Sequence, residues 1–79
     1  MSTLVLRGKI ADLKKKRDDI GVKVRALNRS ILGLCQLGLT REPEDMDADS
    51  IASLAEGLAE ERREYRETLD LIKEIEREL

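Results

Sequence analysis

At 79 residues the chain is one domain at most, and it falls below the size at which a single core usually stabilises itself without disulfides, a metal or association. One cysteine and no histidine exclude an intrachain disulfide and remove both the commonest transition-metal ligand and the usual neutral-pH acid/base. Charged residues make up 41% of the chain and Tyr65 is its sole aromatic residue, a composition of long helices and coiled coils that excludes a sheet protein.

The first stretch, "MSTLVLRGK", holds a three-residue apolar burst and no signal-peptide core, and no apolar run approaches the roughly 18 residues needed to span a bilayer. A soluble, cytoplasmic protein with no membrane partner is expected. From there to about residue 38 the residues Leu6, Ile10, Leu13, Arg17, Ile20, Val24, Leu27, Ile31 and Leu34 are spaced alternately by four and three. That is the a/d stripe of a heptad repeat, and it predicts a first helix over about 3–38. Arg17 alone interrupts it. Glycines at 8, 21, 33 and 57 each lower helix propensity by about 1 kcal/mol relative to alanine; Gly33, beside Ala26 and Ser30, is expected to serve close packing, and the sequence gives no reason for the other three.

A loop over about 39–46 follows. Leu37-Gly38-Leu39 reads as a helix stop in which Gly38 takes the left-handed conformation and Leu39 folds back on Leu34. Pro43 keeps Glu42 out of helical geometry. Asp47 is the expected N-cap of a second helix over about 47–79, accepting the amides of Asp49 and Ser50, with Met46 and Ile51 as a hydrophobic staple. The string Asp45, Asp47, Asp49, Ser53 and Glu56 also matches the oxygen-ligand spacing of an EF-hand calcium loop. Ser50 stands where that loop needs glycine, however, and Ile51 and Leu54 belong to a helical stripe, so the cap-and-turn reading is preferred. No metal and no cofactor are expected.

In the second helix Ile51, Leu58, Tyr65, Ile72 and Leu79 recur every seven residues, with Leu54, Ala55, Leu69 and Ile75 in neighbouring seam positions and a polar interruption at Glu61 and Arg62. The short loop makes the two helices antiparallel neighbours. Residues whose numbers sum to about 86 then face each other: Leu34 near Leu54, Leu27 near Leu58, Ile20 near Tyr65, and Arg17 near Leu69 with Asp70 to neutralise it. The net charge is only −2, but nine of the fifteen Lys/Arg and three of the seventeen Asp/Glu lie in residues 1–39, so a basic helix faces an acidic one. That complementarity is expected to favour the antiparallel pairing.

Two helices with one stripe each leave the flanks of both stripes wet. The fold expected is therefore all-α: a single antiparallel two-helix hairpin over 1–79, coiled-coil-like, dimerising into a four-helix bundle. Surplus apolar side chains gather at the turn end, so Ile31, Leu32, Leu34, Cys35, Leu37, Leu39, Ile51 and Leu54 are the expected protein interface. With no histidine to activate Cys35 and no sign of a pocket, neither an enzyme nor a small-molecule substrate is expected. The reading is a non-enzymatic interaction module (an adaptor, assembly factor or regulator) whose partners are a second copy of itself and another protein. One alternative is RNA or DNA binding through Lys14, Lys15, Lys16, Arg17, Lys23 and Arg25; another is an obligate subunit of a hetero-complex.

The stretch Asp47-Ala48-Asp49, followed by Ala52, Leu54, Glu56 and Leu58, resembles the start of the second helix in the Rop family of small bacterial RNA-binding proteins, and Tyr65-Arg66 lies one residue from where that family has a Tyr-Arg pair. The resemblance covers about a quarter of the chain. It implies an antiparallel hairpin that dimerises into a four-helix bundle with RNA bound across the first helices. It assigns no RNA-contact residue here, because the first helix lacks the phenylalanine that the family carries on its RNA-binding face.

Overall fold

The computed structural model describes residues 2–79. The fold is all-α: two long helices, α1 (Thr3–Gly38) and α2 (Ala48–Glu76), pack antiparallel as a hairpin around a loop that contains one 3-10 turn, Pro43–Asp45. The molecule is a rod of 61 × 14 × 13 Å with a radius of gyration of 18.1 Å. A compact globule of the same length would have a radius of about 12 Å.

Local chemistry sets the ends of each helix. Ser2 caps α1, its hydroxyl accepting the Val5 amide at 3.3 Å. Asp47 caps α2, its carboxylate accepting the Ser50 amide at 3.2 Å; of the two amides expected at this cap, that of Ser50 is the one bonded. Glu42 before the proline is extended, with φ −64° and ψ 145°. Replacing Asp47 by alanine strips α2 of this acceptor, with an expected loss of about 1 kcal/mol. Urea titration followed by circular dichroism at 222 nm reads it directly.

The expected left-handed stop at Gly38 does not form. No glycine among the described residues has a positive φ, and Leu39 continues in right-handed geometry at φ −68° and ψ −23°. The last turn instead tightens: the Leu37 carbonyl accepts both the Thr40 amide at 3.1 Å and the Thr40 hydroxyl at 3.0 Å. Thr40 thus does the capping that the reading gave to glycine, and Leu39 is left 86% exposed rather than folded back on Leu34. Met46 closes the turn from above, near enough to Gly38 that an added Cβ would lie 3.5 Å from Met46 Cε. At the far end α2 stops at Glu76, short of the expected residue 79. Its final amides, from Glu78 and Leu79, bond in the tighter i to i+3 pattern common where a helix runs out.

Along the seam the helices meet in the register set by their stripes. Gly21 lies beside the Tyr65 ring, with an added Cβ 3.6 Å from Tyr65 Cε2, and Gly57 lies under the Leu27 methyl groups at 4.0 Å. These two glycines therefore have packing neighbours, whereas Gly33, for which packing was expected, has nothing within 4 Å. Among the described residues Leu6, Ile10, Ile20, Ile72 and Thr68 are buried. The fully enclosed core is small and weighted towards the end away from the loop.

Charge enters differently from the expectation. Every ion pair among the described residues lies within one helix: Arg17 with Asp18, and Arg63 with both Glu60 and Glu67. Arg17 turns to its chain neighbour at 3.0 Å and not to Asp70, because an adjacent acid is reached without crossing the seam. Its side chain keeps 28% of its exposure, with the stem on the seam and the head towards water. Arg63 holds the Glu60 carboxyl below its ordinary value, first by hydrogen bonding and then by charge. Stabilisation from a lowered carboxylate is present above the usual glutamate range and fades as pH falls through the lowered value; at this open site the effect is small.

Candidate interaction surface

The hairpin has two long sides, and helical geometry decides which residues share each. One side carries a shallow groove lined by Gly21, Val24, Arg25, Arg62 and Tyr65; we call it the Tyr65 side. The opposite side carries a groove lined by Lys23, Ala26, Leu27, Ser30 and Glu61; this is the Glu61 side. Since residues three, four and seven apart stack on one face of a helix, Gly21 and Arg25 bring Asn28, Leu32, Cys35 and Leu39 to the Tyr65 side. Arg62 brings Ala52, Ala55 and Ala59 there from α2. Ala26, Ser30 and Gly33 fall on the Glu61 side. The small residues of α1 and those of α2 thus line opposite sides.

The expected interface residues divide accordingly. Ile31, Leu34, Ile51 and Leu54 lie in the seam and are half-buried. Leu32 (56% exposed) and Leu39 (86%) stand on the Tyr65 side, as does the exposed Cys35. Leu37 belongs to the other side, where it borders a groove with Ser30, Gly33 and Leu34. Val24, Leu27 and Leu58 are half-buried as well, so in the turn half of the rod, from Gly21 and Tyr65 to the loop, no seam side chain is fully enclosed. Nearer the termini Leu6, Ile10 and Ile72 are.

The basic residues proposed for nucleic acid do not form one patch. Consecutive positions on a helix point about 100° apart, so Lys14 falls with Arg25 on the Tyr65 side, Lys15, Lys16 and Lys23 border a groove on the Glu61 side with Ile20 and Glu64, and Arg17 sits in the seam. What the run in the sequence conceals is a second contribution: Arg62, Arg66 and Lys73 of α2 share the Tyr65 side with Lys14 and Arg25. All five residues of that set, Lys14, Arg25, Arg62, Arg66 and Lys73, are exposed.

Two seam positions in α2 are polar. Thr68 is the most enclosed of the described residues at 2% exposure, its hydroxyl donating to the Glu64 carbonyl at 2.8 Å. Leu69 is the seam residue expected here, whereas the spacing 61, 65, 68, 72, 75 alternates four and three and so points to Thr68. At Glu61 one carboxylate oxygen, Oε2, is buried without a hydrogen-bond partner. An orphaned acceptor of this kind costs about 1–3 kcal/mol, so Glu61→Leu is expected to raise the melting temperature, and a fall in calorimetry would show that the carboxylate has a partner in solution.

The acidic string at the turn is a cap and not an ion loop. From Ala48 onward the chain is helical, so Asp49, Ser53 and Glu56 are strung along about 10 Å of one helix face instead of wrapping around a centre, and the Asp47 carboxylate is engaged by the Ser50 amide. Among the described residues no group of three or more His, Cys, Asp or Glu is placed to hold a metal ion. None of the described helices is long and apolar enough to cross a membrane. No family model, no curated protein and no solved structure matches the chain.

Proposed function

We propose that the chain is a protein-interaction module that works as a homodimer, two hairpins covering each other's open seams in a four-helix arrangement, in the manner of an adaptor, assembly factor or regulator. The surface area supports this most directly. The single hairpin exposes 6061 Å², whereas a compact monomer of 9.0 kDa would expose about 4,900 Å². The excess exceeds the roughly 800 Å² that each partner contributes to a standard specific interface. It is also in a suitable place, because the half-buried seam and the exposed Leu32 and Leu39 lie together at the turn half. Nothing in this role calls for bond-making chemistry.

Sedimentation equilibrium from low to high micromolar concentration tests the reading. The expected result is a dimer whose helix content falls as dilution dissociates it. A monomer that stays fully helical on dilution would overturn it, and a chain that folds only together with a different chain would replace it with a hetero-complex.

A second reading, RNA binding of the kind the Rop resemblance implies, is favoured by the way Lys14, Arg66 and Lys73 align on one side from both helices. Each phosphate contact releases counterions, so binding of a structured RNA should weaken steeply with salt. Absence of gel retardation even at low salt would remove this reading. The lack of aromatic side chains beyond Tyr65, which leaves little for bases to stack on, places it second.

A further inference from the structure

Resting on the self-association proposed above, we infer that the second copy docks on the Tyr65 side of the turn half alone, antiparallel and offset, so that each copy's acidic loop lies against the other's Arg25 and Arg62. The choice of side follows from what each one exposes. On the Tyr65 side Leu32 and Leu39 stand out at 56% and 86% exposure, beside three alanines of α2 that keep the surface flat enough for close approach. On the Glu61 side the same length of rod carries Lys23, Glu61 and Glu64, and Leu37 is its one large exposed apolar residue.

Charge decides the offset. Farther from the loop the Tyr65 side turns basic, first at Arg25 and Arg62 and then at Lys14, Arg66 and Lys73. Two copies laid side by side with their loops together would set Arg25 and Arg62 against their own counterparts. Two copies fully overlapped head to tail would bring Leu32 near Lys14 and Lys73 and set Leu39 at the partner's terminal arm, so the apolar patch would not meet itself. An antiparallel pair with its two-fold axis level with Leu32 and Cys35 avoids both. The apolar patch then meets itself, and Arg25, about 13 Å from the axis at 1.5 Å per residue, faces the partner's loop at the same distance beyond it. That loop carries Glu42, Glu44 and Asp45, all exposed, and among the described residues neither these acids nor Arg25 and Arg62 take part in an ion pair within one chain. Opposite charges thus meet twice, once at each end of the contact, which fixes direction and register. The overlap is about 26 Å, or about 17 residues along α1 and its loop, less than half of the 61 Å rod. The terminal arms stay free.

A charge-reversal exchange tests this in the full chain. Arg25→Glu with Arg62→Glu in one variant, and Glu42→Lys, Glu44→Lys and Asp45→Lys in another, should each weaken self-association by about tenfold or more. Mixed in equal amounts the two should pair with close to the original affinity, because both ends of the contact are again of opposite sign. A short bis-maleimide should join the native Cys35 of two copies, whose place near the axis brings them together. If the unmodified chain shows no dimer, the functional reading itself fails. Should it dimerise with an affinity that neither variant alters, or should the mixture fail to recover, the self-association stands and this geometry is overturned.

Discussion

Ile20→Ala is expected to destabilise the hairpin by about 2–4 kcal/mol. Marginal stability of roughly 0.05–0.15 kcal/mol per residue gives a chain of this length about 4–12 kcal/mol in all, so one such change removes a large share. Ile20 is 4% exposed and is one of four buried apolar side chains among the described residues. A rod this thin has no second layer that could collapse into the vacated space, and the cavity term is therefore fully felt. Leu71→Ala, at a residue 45% exposed, is the control and should shift stability by no more than about 0.5 kcal/mol. Urea titrations at two protein concentrations separate effects inside the hairpin from effects on association. Equal losses for the two variants would mean that the buried layer lies elsewhere.

The elements that sequence spacing announced are those in which a local rule has no competitor. A four-and-three alternation carried from Leu6 to Leu34 leaves no other regular structure that buries it, and Asp47 stands before a helical stripe with a free amide within reach. The register also follows, since two long stripes and a short loop allow little slippage; the contact between Gly21 and Tyr65 is one outcome. What the sequence leaves open depends on rivals close in energy. Gly38 was a plausible left-handed stop, but Thr40 offers a hydroxyl to the same carbonyl and needs no unusual backbone. Asp70 was a plausible partner for Arg17, but Asp18 is adjacent. The placement of the residues expected at an interface was only half legible: the seam positions of Ile31, Leu34, Ile51 and Leu54 follow from the stripe, whereas separating Leu32, Cys35 and Leu39 from Leu37 requires knowing which flank of each helix faces which side. The same geometry breaks up the run Lys14, Lys15, Lys16 and joins Lys14 to Arg66, a residue 52 positions away.

Leu32→Asp should weaken self-association by at least about 100-fold. Burying a leucine contributes about 1.5–3 kcal/mol, a two-fold contact loses it from both copies, and every 1.4 kcal/mol is a tenfold change in affinity; burying the new carboxylate adds to the loss. Within one hairpin the substitution is nearly neutral, because Leu32 is 56% exposed and outside the seam. The variant therefore isolates what a second copy contributes. Leu4→Asp is the matched control: Leu4 is 81% exposed but lies on the terminal arm, outside the proposed overlap, and its effect on the dissociation constant should stay within about threefold, the level expected of a residue at or beyond the rim. If Leu4→Asp proved as damaging as Leu32→Asp, the contact would run the whole length of the rod. If neither mattered, the apolar turn half would have some other occupant. With the expected outcome, the Leu32→Asp chain should also lose helix at concentrations where the unmodified chain keeps it, since a hairpin with so few enclosed side chains draws much of its stability from the copy beside it.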